Sequence, residues 1–196
     1  MRENSLRSLP DIPSEFRIRI FRRKEEIESI RKVWIDLQDH PNIDIDHYLT
    51  AISSLPNVIG PFVITVEKEG AIVSLVVGRL ENYFLPLKIG YKTLFKIPFR
   101  AIVICHGGFL GDRSAAVSQI FVSELSKSLQ NGDAEIVFIN SIDINSEIYR
   151  GLRNGGIGLK KIFASKRELH WRIALPENYE KFIGTLEYKV RKNLRR

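Results

Sequence analysis

The chain has 196 residues, 44% of them apolar, enough for one domain with a core, or one domain and the start of another, which excludes disorder over most of its length. One cysteine, Cys105, excludes an internal disulfide framework and points to a reducing, cytoplasmic setting. The net charge of +7 is uneven: residues 1–159 hold 19 Lys and Arg against 19 Asp and Glu, and residues 160–196 hold 11 against 4. The excess therefore belongs to a terminal stretch, and a basic patch on one element is weaker evidence for nucleic-acid recognition than a basic domain would be. No apolar run approaches the roughly 18 to 20 residues that cross a bilayer, and the first fifteen residues lack the apolar stretch of a signal peptide.

Residues 1–15 are polar, carry two prolines and read as a flexible N-terminus. "FRIRIF" (16–21) alternates like a half-buried strand. From Glu25 to His40, Ile27, Ile30, Val33, Trp34 and Leu37 fall at helical spacing, and a second helix is expected from Asp46 to Leu55 with Tyr48, Leu49, Ile52 and Leu55 on one face. "FVITVEKEGAIVSLVVGRL" (62–80) reads as a hairpin turning at "EKEG". Residues 81–99 carry two prolines and a glycine among apolar and aromatic residues, and read as an ordered, partly buried connection. "RAIVIC" (100–105) is a strand covered on both faces, followed by the glycine-rich turn "HGGFLGD" (106–112), with Asp112 as expected N-cap of a helix from Arg113 to Leu129. Ala116, Ile120, Phe121, Leu125 and Leu129 should face inward along it. A second buried strand "EIVFIN" (135–140), a helix from Ser146 to Asn154, the loop "GGIG", a strand "ELHWRIAL" (168–175) and a helix after Pro176 complete the order. The class is α/β, an α+β mixed sheet with helices crossing between its central strands.

Cys105 and His106 are neighbours on a strand, point to opposite faces and cannot act as a nucleophile–base pair. "HGG" without a G-x-S-x-G elbow does not make an esterase. His40, Asp44, Asp46 and His47 cluster around Pro41, but capping accounts for the acids and no metal is expected. "RNGGIG" (153–158) follows a helix rather than opening one, so its glycines read as a C-cap and loop. At the end of the chain Tyr179, Phe182, Ile183, Leu186, Val190 and Leu194 share one helical face, with Lys189, Arg191, Lys192, Arg195 and Arg196 on the other. That basic face is a solvated surface, a contact for a following domain or anionic substrate, or, least favoured for lack of interleaved aromatics, a nucleic-acid site.

The element order β-α-α-β-β-(insertion)-β-α-β-α-β resembles the GNAT acyltransferase fold. "ALPENYEKFIGTLEYKVRKNLRR" (174–196) sharpens this: it is similar to the segment of FemAB-like and CelD-like proteins in which a strand ending in Leu-Pro leads into a helix with an Arg-Lys-x-x-Arg-Arg signature. In that branch two GNAT-like domains lie in tandem. The resemblance implies a GNAT-like domain over residues 16–175 and a linking helix over 176–196, leading to a second domain. It implies N-acyltransferase activity, the transfer of an acyl or aminoacyl group to an amine on a cell-envelope or polysaccharide precursor, with acetyl-CoA or another acyl-CoA as a possible donor. His106, Gly107, Gly108 and Gly111 occupy the family's pyrophosphate turn, and Tyr149 the place of a general acid toward the departing thiolate. Lys189, Arg191, Lys192, Arg195 and Arg196 would contact substrate or the second domain. The turn lacks the family's Arg or Gln, and an acidic cap at Asp112 repels phosphate, so the resemblance assigns the donor to the second domain. The alternative is a non-catalytic module that uses the basic helix on an anionic partner, nucleic acid or a membrane surface.

Overall fold

The computed structural model describes residues 14–154 and 176–194. The chain divides into two units, Met1–Lys161 and Ile162–Arg196. The first is a mixed α/β unit built on a five-stranded mixed sheet of order β1-β2-β3-β4-β5.

The alternation of "FRIRIF" produces β1 (Phe16–Phe21), antiparallel to β2 (Val58–Lys68) from Phe16 opposite Lys68 to Phe21 opposite Val63. Between them run α1 (Lys24–Ser29), α2 (Arg31–Leu37), a 3-10 turn (Pro41–Ile43) and α3 (Ile45–Ser54). The helix expected from Glu25 to His40 is thus two helices. Ile30 leaves helical geometry (φ −108°, ψ 10°), with its N–H bonded to the Ile27 carbonyl at 3.1 Å, and Ile27, Ile30 and Trp34 are all buried. Asp44 caps α3 by accepting from the His47 N–H at 2.9 Å, while Asp46 pairs with Arg31 at 2.9 Å. Trp34 donates to the Ile43 carbonyl at 2.8 Å and its ring lies 5.2 Å from that of Tyr48.

Strand β2 turns into β3 (Ala71–Ile89) through Glu69 and Gly70, both at positive φ (53° and 81°), the two-residue turn that matches strand twist. β3 then turns into β4 (Lys92–Gly111) through Gly90 (φ 59°) and Tyr91. Residues 81–99 are therefore the outer half of a long antiparallel hairpin rather than a partly buried connection. Their prolines sit at Pro86 and Pro98, opposite Lys96 and Phe84, on strands that tolerate them because this part of the hairpin is largely exposed to solvent. "HGGFLG" is likewise strand: Val76, Leu75 and Ser74 of β3 pair with Phe109, Leu110 and Gly111 of β4.

The helix α4 (Ala115–Gln130) starts with Ser114 as N-cap, two residues beyond the expected Asp112, whose carboxylate instead accepts the Ser114 N–H at 2.8 Å. Starting the helix there buries Val117 and leaves Ala116 exposed, while Ile120, Phe121 and Leu125 face inward as expected. α4 carries the chain to β5 (Ile136–Ile139), parallel to β4 over Ala101–Ile104, and α5 (Glu147–Asn154) follows. The two faces of the sheet bury separate cores. Phe62, Ile64, Val76, Ile102 and Ile104 pack with α4 and Ile148, whereas Val63, Leu75, Val77 and Leu110 pack with the side chains of α1, α2 and α3. The strand expected at 168–175 and the loop at 155–158 lie outside the described residues.

In the second unit the expected single helix is also two, α6 (Tyr179–Thr185) and α7 (Tyr188–Leu194), interrupted where Leu186 takes extended geometry (φ −83°, ψ 150°). Ile183 is buried, while Tyr179 and Val190 of the expected apolar face are exposed. No described helix is long and apolar enough to cross a membrane.

Candidate functional site

Apolar strands pair continuously until a residue pattern interrupts them, and here the interruption falls at the middle of β4. Gly78 pairs with Ile104 and Val76 with Phe109, so one residue of β3, Val77, lies opposite four of β4, Cys105 to Gly108. On the other edge the β4–β5 ladder stops after Ile104 and Ile139, with a last bond from the Asn140 N–H to the Ile104 carbonyl at 3.1 Å. The bulge thus coincides with the point where the two parallel strands part. Backbone groups released at such a fork are available to a ligand.

A pocket of about 310 Å³ opens at the fork, lined by Asn42, His47, Tyr48, Ala51, Arg79, Cys105, His106 and Asn140. The 3-10 turn and α3 supply one wall, β3 and the bulge the floor, and the end of β5 the far side. Tyr48 fixes the floor by donating from its buried hydroxyl to the Gly78 carbonyl at 2.5 Å. Burial pushes the Tyr48 phenol well above its ordinary range, so the hydroxyl keeps its proton for this bond.

Arg79 is held by an ion pair with Glu81, whose other oxygen accepts from Asn57 at 2.9 Å. The Arg79 Nη1 lies 3.8 Å from the Cys105 Sγ. Burial pushes the Cys105 thiol up, and nearby Arg79 opposes this without cancelling it, so the sulfur stays protonated and poorly nucleophilic. The ring of His106 stands 4.7 Å from that of His40, which accepts from the Asn42 N–H at 3.2 Å. No lining residue is a carboxylate, and no described group of His, Cys, Asp and Glu could hold a metal ion.

The four residues of the expected pyrophosphate turn separate. His106 lines the pocket. Gly107 (φ 77°) abuts the His40 ring, where a Cβ would come within 2.7 Å. A Cβ on Gly108 would meet the Val77 carbonyl at 2.6 Å, and one on Gly111 the Val73 carbonyl at 2.3 Å. These glycines let chain pack on chain. The start of α4 is equally occupied: Ser114 caps the Val117 N–H, and the carboxylate of Asp112 takes up the Ser114 N–H and hydroxyl. A pyrophosphate would meet a capped helix end with a negative charge beside it, which does not fit. Tyr149 is buried on α5 and does not line the pocket. Lys189, Arg191 and Lys192 lie on α7, and Arg195 and Arg196 fall outside the described residues.

The sequence pointed to His106 but missed Arg79, Asn42, His47 as pocket wall, and Asn140. Two signals were present: an arginine inside the apolar run "IVSLVVGRL", and an asparagine directly after the apolar strand "IVFI". A charge in such a run needs a partner and a reason.

No protein-family model matches the chain, and no curated protein matches its sequence. Solved structures do. An aminoglycoside acetyltransferase from an uncultured soil metagenomic sample, in complex with sisomicin, is 15% identical, with 85% of this chain and 100% of that chain covered and a TM-score of 0.42. Glucosamine-6-phosphate N-acetyltransferase from Arabidopsis thaliana is 16% identical, covering 78% and 97%, with a TM-score of 0.41. A GNAT family acetyltransferase from Staphylococcus aureus is 14% identical, covering 78% and 99%, with a TM-score of 0.40.

Proposed function

We propose that this chain is the acceptor-binding half of a GNAT-type N-acyltransferase, acting on an amine of a cell-envelope or polysaccharide precursor. The observation that carries this reading is the pocket at the fork of β4 and β5, lined by hydrogen-bonding side chains and the imidazole of His106. The element order and the likeness of residues 174–196 to FemAB-like and CelD-like proteins support the family.

Transfer of an acyl group from a thioester to an amine forms the N–C bond and breaks the C–S bond, and the proton that the nitrogen loses balances the one that the departing thiolate takes up. In this reading His106 accepts that proton, a task suited to an imidazole. Arg79, Asn42 and Asn140 orient the acceptor through its anionic and hydroxyl groups, and Cys105, held as a thiol, takes no part as a nucleophile. The capped start of α4 supports placing the acyl-CoA on a second domain beyond Arg196, which supplies the activated acyl group. Calorimetry tests the division: acetyl-CoA titrated into the 196-residue chain should give no saturable heat at micromolar concentration. Clear micromolar binding would overturn it.

A further inference from the structure

The outer hairpin is a long stretch of the described sheet without a covering layer, and at its base Tyr83 stacks on Phe138 of β5, itself exposed together with Ile136. Beyond Glu81, β3 and β4 run paired from Asn82 opposite Arg100 to Ile89 opposite Lys92, an arm about 25 Å long at strand rise. Cross-strand partners share a face, so Tyr83, Leu85, Leu87, Phe95, Ile97 and Phe99 form one wholly apolar side of it. That side continues the face of β3 that carries Arg79 and Glu81, and so lies on the same side of the sheet as the pocket. Leu85, Leu87 and Phe95 are exposed, and at the tip Ile89 is 72% and Tyr91 fully exposed. The opposite side carries Lys88 and Lys96 beside the exposed Phe84, Pro86 and Pro98, and Lys92 flanks the tip. No Asp or Glu occurs between Glu81 and Asp112.

An apolar face this long left to water is costly unless something covers it. A second copy docked arm to arm would set two acid-free, lysine-bearing arms against each other, which like-charge repulsion opposes. An aliphatic and aromatic tip ringed by lysines is instead the composition that settles at a bilayer interface, with the apolar groups among acyl chains and the ammonium groups at phosphates. We propose that the arm of residues 82–99 docks this protein on an anionic lipid surface, with Ile89 and Tyr91 inserted and Lys88, Lys92 and Lys96 at the headgroups.

Co-sedimentation of the full chain with vesicles tests this. Phosphatidylcholine vesicles containing phosphatidylglycerol should retain the protein about tenfold to a hundredfold better than phosphatidylcholine alone. Ile89→Glu with Tyr91→Glu should abolish retention. Lys88→Gln with Lys92→Gln and Lys96→Gln should remove the preference for the anionic lipid, and gives a second reading should the tip variant misfold. Lys189→Gln with Arg191→Gln and Lys192→Gln should leave retention unchanged. Undiminished retention of the tip variant, or loss in the C-terminal variant alone, would overturn the proposal. So would a protein that stays in the supernatant while light scattering shows a dimer that the tip variant dissolves.

Discussion

The hydroxyl of Tyr48 on α3 donates a 2.5 Å hydrogen bond to the backbone carbonyl of Gly78 on β3, directly opposite the last residue of β4 before its bulge. The bond ties the helical wall of the pocket to its floor where the sheet ladder is weakest. Tyr48→Phe keeps the ring packed on Trp34 but removes the donor, and should cost about 1–2 kcal/mol in urea unfolding. Unchanged stability would show that the bond does not secure the wall.

Gly108 sits in the bulge with backbone oxygens at 2.6 and 2.8 Å from where a Cβ would be, and neither can move without disturbing the sheet. Gly108→Ala should therefore destabilise by at least about 2 kcal/mol. Gly184, in α6 with nothing within 4 Å, is the contrast. Gly184→Ala should be neutral or stabilising by up to about 1 kcal/mol, read from the thermal midpoint.

Burial pushes the ionisation of both Cys105 and Tyr48 to higher pH in the folded protein. Below the ordinary thiol value of roughly 8.5, both states hold these protons and stability is unaffected by them. As pH rises past it, the unfolded chain releases protons that the folded chain keeps, so stability should fall with increasing pH. Cys105→Ser should make the alkaline fall shallower in denaturation curves taken across this range. Alkylation of Cys105 in the native protein should also lag behind that of a free thiol at neutral pH. Equal rates would contradict the buried thiol.

Local periodicity made β1, α3, the β2–β3 hairpin and α4 legible, because each buries one face and its pattern records which, whereas β5, a strand as expected, is not buried: Ile136 and Phe138 are exposed. Residues 81–99 were not, since prolines in an apolar stretch suggest a connection, and only the hairpin partner reveals that Pro86 and Pro98 stand in a solvent-exposed ladder. The break at Ile30 was invisible for a similar reason: a 3-10 step keeps Ile27, Ile30 and Trp34 buried, so the helical spacing survives the interruption. At the site, His106 was found through its glycine neighbours, yet those glycines serve the bulge. Arg79, Asn42 and Asn140 come from three elements distant in sequence, and only the fold assembles them.

The central claim, that this chain holds the acceptor amine and another domain the acyl donor, is tested most directly by steady-state kinetics of His106→Gln. The measurement needs the protein translated through any in-frame continuation beyond Arg196, with thiol release from acetyl-CoA followed against amine acceptors. The account predicts amine-dependent release, a fall in kcat of about a hundredfold or more in His106→Gln with loss of the near-neutral limb of its pH profile, and an unchanged KM for acetyl-CoA. A variant that raises the acetyl-CoA KM while sparing kcat, or a wild-type protein without amine-dependent release, would contradict it.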